Sequence, residues 1–371
     1  MTQYNIGALS GSIISRDNYS VTPSFPTDVF QFSLDNTRDI NLYLHNISAG
    51  DDADVRLYRD SNSNGVLDAS DTYLTGSFRA GNATDSASYL NASAGTYFAE
   101  VRRYAPGSFG AVNYSIDLSS TYDVGTLGVA PISRNSYNVS ANDPIDVFEF
   151  DIVGTRNINL NLHDISAGDD VDLRLYRDVN SNGLFDANDR QFGLLASSRQ
   201  ASNRDDSINY RATSGTYFAQ AERYAPGSSG TAYYSLDFSS TPVTGLTSGR
   251  ASNLVAEEVR VGNLSGDRLL SGNINNANTS DVYSFSLGLY EATNIRLSGL
   301  TADADIRLIR DANGNQQVDA GEVLRTSIRG GALSEQISGV HQSGDYYLQV
   351  YQYSGNTNYN LTFDHYTTSY A

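Results

Sequence analysis

The 371-residue chain has no cysteine and no lysine, and all 24 basic residues are arginine. Without cysteine there is no disulfide, no thiol nucleophile and no thiolate metal site. Without lysine, Schiff-base chemistry and a phosphate-loop lysine are excluded together. No run of 18 apolar residues occurs, and the N-terminal "MTQYNIGALSGSIISRDNYS" has neither a basic n-region nor a long apolar stretch, so no membrane insertion is expected and no secretory leader is visible. Neither HExxH nor GxSxG is present, and the four histidines, His45, His163, His341 and His365, stand in strand-like or terminal contexts. No catalysis is expected.

What remains is acidic. Net charge is −18 with a pI near 4.4, and only 8 of the 42 acidic residues are glutamate. Such a surface repels nucleic acid and anionic membranes and attracts divalent cations.

The aspartates are not scattered. In "RDSNSNGVLDASD" Asp60, Asn62 and Asn64 occupy positions 1, 3 and 5 of a loop, Gly65 position 6, Asp68 position 9 and Asp71 position 12. This is the oxygen spacing of an EF-hand calcium loop. A hard cation takes about six to eight oxygens at roughly 2.3–2.6 Å, so alternate side chains must point inward, after which glycine permits a sharp bend and the position-7 carbonyl of Val66 can face the ion. The pattern recurs as Asp178, Asn180, Asn182, Leu184, Asp186 and Asp189, and again as Asp311, Asn313, Asn315, Gln317, Asp319 and Glu322. Asp, Asn and Gly are also ordinary turn residues, so a polar hairpin loop is the competing reading. Three occurrences favour calcium (Ca2+). In the third loop Gln316 replaces the glycine, and a positive φ there is expected to cost roughly 1–2 kcal/mol and make this the weakest site.

Residues 48–71 and 166–189 differ at only six of 24 places, and "GTYFAEVRRYAPGS" returns as "GTYFAQAERYAPGS", so a whole domain is duplicated. A third, more diverged copy carries "DVYSF" at Asp281 and "DADIRLIRD" at Asp303. The division expected is 1–121, 122–242, a loose linker at 243–258, and 259–371. Each copy consists of short alternating runs separated by Gly, Asn, Asp and Ser, with no helix of ordinary length. In "ADVRLYRD" Val55 and Leu57 share one face while Asp54, Arg56 and Tyr58 share the other. The expected fold is all-β: three tandem antiparallel β-sandwiches, jelly-roll-like.

The motif order "DVFQF", "DADVRLYRD", "SAGTYFAEV", "NYSIDL", occurring three times, resembles the bacterial pre-peptidase C-terminal domain. The resemblance implies small β-sandwiches appended to secreted peptidases and other extracellular proteins, often with bound calcium and a role in substrate contact or secretion. No peptidase is attached here. The function expected is a calcium-binding, non-catalytic extracellular interaction or substrate-targeting module, placed outside the cell or on its surface, with an extracellular protein or polysaccharide as partner. The alternative is a carbohydrate-binding or adhesive surface protein, for which Tyr104 and Tyr224 beside turns are candidates. Asp52 and Asp54, with Asp170 and Asp172, and Asp303 and Asp305, either extend the calcium sites, form second ones, or pair with Arg56, Arg174 and Arg307 as surface ion pairs. His45 and His163 precede the "SAG" turns and read as structural.

Overall fold

The computed structural model describes residues 1–105, 110–225, 230–245 and 249–369. The turns after Tyr104 and Tyr224, part of the expected 243–258 linker and the last two residues lie outside the described residues. In a first unit the chain forms β1 (Thr2–Ala8), β2 (Ile14–Val21), β3 (Thr27–Leu34), β4 (Arg38–His45), β5 (Asp52–Arg59), β6 (Thr72–Ser77), β7 (Asp85–Ala92), β8 (Gly95–Ala105) and β9 (Val112–Thr126). A second follows with β10 (Ile132–Ser140), β11 (Ile145–Ile152), β12 (Arg156–His163), β13 (Asp170–Arg177), a helix α1 (Ala187–Phe192), β14 (Leu194–Ser198), β15 (Asp206–Ala212), β16 (Gly215–Ala225) and β17 (Thr231–Pro242). The third holds β18 (Val259–Asn263), β19 (Arg268–Ile274), β20 (Ser280–Leu287), β21 (Glu291–Ser298), β22 (Asp303–Ile309), β23 (Val323–Ser327), β24 (Glu335–Val340), β25 (Gly344–Ser354) and β26 (Thr357–Thr367).

The alternation in β5 sets its orientation. Val55 and Leu57 are fully buried, packed with Ile40 and Leu42 of β4 and with Ile116 and Leu118 of β9. The five-stranded sheet β1-β3-β8-β5-β6 therefore shares its core with the sheet that carries β2, β9, β4 and β7. The third unit repeats this arrangement with β18-β20-β25-β22-β23 and β19-β26-β21-β24. In each unit a buried tyrosine pins one sheet to the other. Tyr114 donates to Asp28 at 2.6 Å, Tyr234 to Asp146 at 2.7 Å, and Tyr359 to Asp281. The helix was not expected, since six residues are too short to show a 3.6-residue period. Asp186 caps it, accepting from the backbone of Asn188 and Asp189, while the Asp189 side chain accepts from the Asp186 N–H.

The all-β class holds, but three distinct sandwiches do not. β9 is fifteen residues long. Its first part pairs with β2 and β4 in the first unit, while Tyr122 to Thr126 run parallel to β11 as the edge strand of the second, so one eight-stranded sheet belongs to both. The chain is a continuous, solenoid-like array of stacked sheets. The separate melting of small-contact beads, which tandem domains would show, has no structural basis here. Gly11 donates its N–H to the Ile145 carbonyl at 3.0 Å, and a Cβ on it would stand 2.8 Å from that oxygen. Of the 243–258 stretch, Ala251, Leu254, Val255 and Ala256 are buried, and Arg250 lies 4.0 Å over the Tyr353 ring.

The first junction is locked by Arg38, which is 3% exposed. Its guanidinium donates to Asp143 at 2.7 Å, stands 3.2 Å from Asp146, and stacks 4.6 Å over Tyr122. Burial opposes the charge, but Asp146, Tyr122 and Asp143 outweigh it and raise the Arg38 pKa. Replacing Arg38 with methionine leaves Asp146 buried without its ionic partner, which costs up to about 3–5 kcal/mol. Urea denaturation at neutral pH should show that loss, with part of it recovered when Asp146→Asn is added. A variant as stable as the parent would mean that the junction does not depend on this pair.

Candidate functional site

All three acidic loops fold alike, and the sequence dictates how. The position-1 aspartate turns back on the loop: Asp60 accepts from the N–H of Asn64 at 3.3 Å and of Gly65 at 3.0 Å. Asp178 accepts from Asn182 and Gly183 at 3.3 and 2.8 Å, and Asp311 from Asn315 and Gln316 at 3.3 and 2.8 Å. The position-12 acid closes the other side. Asp71 accepts from Ser61 and Asp68 at 3.0 and 2.8 Å, Asp189 from Val179 and Asp186 at 2.9 and 3.1 Å, and Glu322 from Ala312 and Asp319 at 2.8 Å each.

Positions 3 and 5 meet position 9. Asn62 and Asn64 donate to Asp68 at 3.2 and 2.7 Å, Asn180 and Asn182 to Asp186 at 2.8 Å each, and Asn313 and Asn315 to Asp319 at 2.8 and 3.0 Å. At position 7 the N–H groups of Val66, Leu184 and Gln317 donate to the position-5 amide oxygen at 2.8, 2.9 and 2.9 Å, folding the chain back. In every loop the side chains at 3, 5 and 9 thus meet, while the acids at 1 and 12 bind the loop's own backbone. The bend at position 6 has φ of +71° at Gly65 and at Gly183, and +57° at Gln316. Position 4 is also left-handed, with φ of +57°, +56° and +72° at Ser63, Ser181 and Gly314, a requirement that the sequence did not announce.

The loops differ in surroundings. The first is exposed, and hydrogen bonds from Ser70, Asn64 and Asn62 lower the Asp68 pKa. In the second, Asp189 has no exposed surface, and burial raises its pKa to about 7 against the pull of two backbone N–H groups. Among the described residues no three acidic or imidazole groups are clustered as a ready-made metal site. The loop acids are engaged by backbone and amide donors, and a cation would have to exchange these for its own bonds, drawing on amide oxygens as well as carboxylates. That donor set suits a hard, oxygen-seeking ion.

The DxD pairs are not part of the loops. Asp52 and Asp54 join Asp85, Asp170 and Asp172 join Asp206, and Asp303 and Asp305 join Glu335, each trio being buried. The third member escaped sequence reasoning, yet a serine eight residues before it in every copy, Ser77, Ser198 and Ser327, marks it and donates to it. The expected arginine pairing is loose at Arg56–Asp54, 4.0 Å, and Arg174–Asp172, 3.8 Å. In the third copy Arg307 bonds Gln349 and the Ser252 carbonyl instead. His45 and His163 stand 3.4 and 3.5 Å from Asp117 and Asp237 in the outer sheet faces, and Asp237 also accepts from Gln317 of the third loop at 3.2 Å.

Residues 26–103 and 279–352 match the family model described as the bacterial pre-peptidase C-terminal domain. No curated protein matches the chain. Among solved structures, the pre-peptidase C-terminal domain of a Bacillus anthracis collagenase is similar at 23% identity over 32% of this chain and 94% of that one, with a TM-score of 0.23. The periplasmic g-type lysozyme inhibitor PliG of Aeromonas hydrophila is similar at 16% identity over 29% and 96%, TM-score 0.21. A triple jelly roll protein of an archaeal virus turret covers 96% of this chain at 9% identity, TM-score 0.18. None of the three carries an inference about ligand or activity.

Burial raises Asp146, Asp206 and Asp305 to about 7 and Glu149 and Glu258 to about 8. The folded chain therefore holds protons that the unfolded chain releases near its ordinary carboxylate pKa, and the associated stability is lost as pH rises through about 6 to 8. His45 and His163, whose burial is outweighed by Asp117 and Asp237 so that their pKa rises, act in the same direction. In chelator the unfolding temperature should fall between pH 5 and pH 8. A rise over that range would show that these carboxyls are not shielded as the fold implies.

Proposed function

We propose, taking the two stretches that match the pre-peptidase C-terminal domain as premise, that the chain is a calcium-stabilised, non-catalytic accessory module working outside the cell or at its surface. In this reading residues 1–121, 122–242 and 259–371 are three sandwich-type repeats, and 243–258 joins the last two. The carrying observation is the thrice-repeated loop, in which Gln316 accepts a left-handed φ so that the hydrogen-bond pattern is kept. Ordinary turns have no need to repeat a twelve-residue pattern in three different surroundings. The ligands are Asp60, Asn62, Asn64, Asp68 and Asp71, with the Val66 carbonyl, and their counterparts in the other two loops. Calcium stiffens the loops and does no chemistry.

Gln316 calls for a revised expectation about affinity. Its positive φ is already present in the hydrogen-bonded loop, so the strain bears on folding rather than on ion binding alone. Its side chain also accepts from Asn161 at 2.7 Å and its carbonyl from Val255 at 2.9 Å, contacts that glycine would keep only in part. A second reading, capture of polysaccharide or extended peptide, draws on Tyr104 and Tyr224, which are 74% and 73% exposed. Among the described residues no helix is long and apolar enough to cross a membrane.

Calorimetric titration of the intact chain should give about three sites with dissociation constants of roughly 10⁻⁴ to 10⁻³ M. At a hundred times that concentration each linked site adds about 2.7 kcal/mol to stability. Asp60→Ala should remove one site. Unfolding that is identical in calcium and in chelator would end the proposal. Gln316→Gly should change stability more than it changes affinity, and a clear tightening of calcium with unchanged stability would restore the simpler view of that loop.

A further inference from the structure

The turn "DNTR" at 35–38 and its repeat "VGTR" at 153–156 end in arginines with different surroundings. Arg156 gives its guanidinium to a single residue, Nε donating to the Ser240 hydroxyl and Nη2 to the Ser240 carbonyl at 2.6 Å each. Arg38 is not so completed. Its Nη2 is taken by Asp143 and its Nη1 faces Asp146, yet its buried Nε has no hydrogen-bond partner among the described residues. Asp35 Oδ1 stands 3.9 Å from that nitrogen, on a side chain that is 58% exposed. In the repeat this acid is Val153, so the open donor and the acid beside it occur together at the first junction and are both missing from the second. A buried donor left open in one copy and satisfied in the other calls for a partner.

Arg38 and Asp35 both line a cavity of about 290 Å³ between the first and second units. Tyr122 lies on its buried side, with its ring held by the Arg38 guanidinium, by Phe148 stacked at 5.1 Å and by the edge of Tyr137 at 4.8 Å. The wall is therefore rigid. At the rim Asn36 of the first unit and Asn138 of the second are exposed, and their amides bond no other described residue. The volume is near the lower end of the roughly 300–1,000 Å³ of small-molecule sites, which gather at domain interfaces.

The groups present select the ligand. An anion meets Asp35 and a guanidinium already held by two carboxyls, a cation is set against that guanidinium, and an apolar group leaves Nε unanswered. A hydroxyl answers it. The gap between Nε and Asp35 is too wide for a direct bond, and one hydroxyl between them accepts from Arg38 and donates to Asp35 as a bridging water does. The amides of Asn36 and Asn138, each both donor and acceptor, suit further hydroxyls. We propose that the cavity binds one neutral sugar ring, its hydroxyls held by Arg38, Asp35, Asn36 and Asn138. This gives the polysaccharide reading a seat apart from Tyr104 and Tyr224, and it shares no residue with the calcium loops, so each can fail without the other.

Saturation-transfer NMR on the intact chain, in calcium and in chelator, tests this with D-glucose, D-galactose, D-mannose and N-acetyl-D-glucosamine as neutral probes and D-glucuronate and D-glucosamine as charged ones. The expected result is transfer to at least one neutral sugar in both conditions and none to the charged pair. Asn138→Arg fills the rim and should abolish transfer while unfolding at the parent temperature, since the residue is exposed. Asn36→Ala should weaken binding roughly two- to tenfold, the worth of one hydrogen bond, and Asp35→Val, which copies the repeat, at least as much. Tighter binding of the matching oligosaccharide assigns the ring to a polysaccharide and equal binding to a free sugar, and either upholds the site. No transfer to any neutral sugar, transfer to charged sugars alone, or transfer undiminished in Asn138→Arg would overturn the proposal. So would loss of transfer in Tyr104→Ala or Tyr224→Ala with Asn138→Arg still binding, which would place the sugar at the turns.

Discussion

One carboxylate holds two levels of this structure together. Asp146 is fully buried in β11, where it receives the Tyr234 hydroxyl from the opposite sheet and faces the Arg38 guanidinium from the preceding unit. A charge so placed is tolerable only while both partners stay in position. That requirement couples the sheet-to-sheet spacing within the second unit to its contact with the first. In the third unit Asp281 keeps the tyrosine, but its other neighbours are Asn278 and Glu258, and the joining segment supplies the contacts that Arg38 supplies at the first junction.

The absence of lysine has a structural consequence that goes beyond excluded chemistry. Three trios of buried acids are answered by backbone N–H groups and serine hydroxyls more than by cations, as where Arg79 N–H donates to Asp85 at 2.8 Å and Gly331 N–H to Asp303 at 2.8 Å. Dipoles fixed by the sheet take the place of counter-ions, and the carboxyls respond by holding their protons to higher pH. The first acidic loop follows the other course: Asp68 is exposed and receives the Ser70 N–H and the amide groups of Asn64 and Asn62, which lower its pKa. In the buried second loop burial raises Asp189, as it raises Asp206 and Asp305 in the trios.

The loops also explain why the array is continuous. A twelve-residue excursion from one sheet would be mobile by itself, but its hydrogen bonds fix it into a rigid knob, and a rigid knob can be seated on a flat outer sheet face. The second loop meets that face through the Phe185 carbonyl, which accepts from Ser119, and the third through Gln316 and Gln317. The glutamine at position 6, which disturbs the spacing pattern, has a role in this second contact that outranks its backbone preference.

Much of this was legible in residue order. Alternation in "ADVRLYRD" placed Val55 and Leu57 in the core because strand side chains change face at every residue, and the spacing of Asp60, Asn62, Asn64, Asp68 and Asp71 set a self-bonded loop because short-range hydrogen bonds act within the loop itself. The duplication was visible as repeated text. What the order of residues could not reveal was contact between copies: that β9 runs through two units, that Asp85 comes home to Asp52 and Asp54, and that Arg38 reaches Asp143 and Asp146. These pairings join positions far apart in the chain, where periodicity and spacing carry no signal. The sequence determined the strands, the repeats and the loop conformation, since each depends on neighbours along the backbone. Tertiary packing alone decided which loop is covered, which carboxyl holds its proton and where one unit ends, since each depends on what a fold brings alongside.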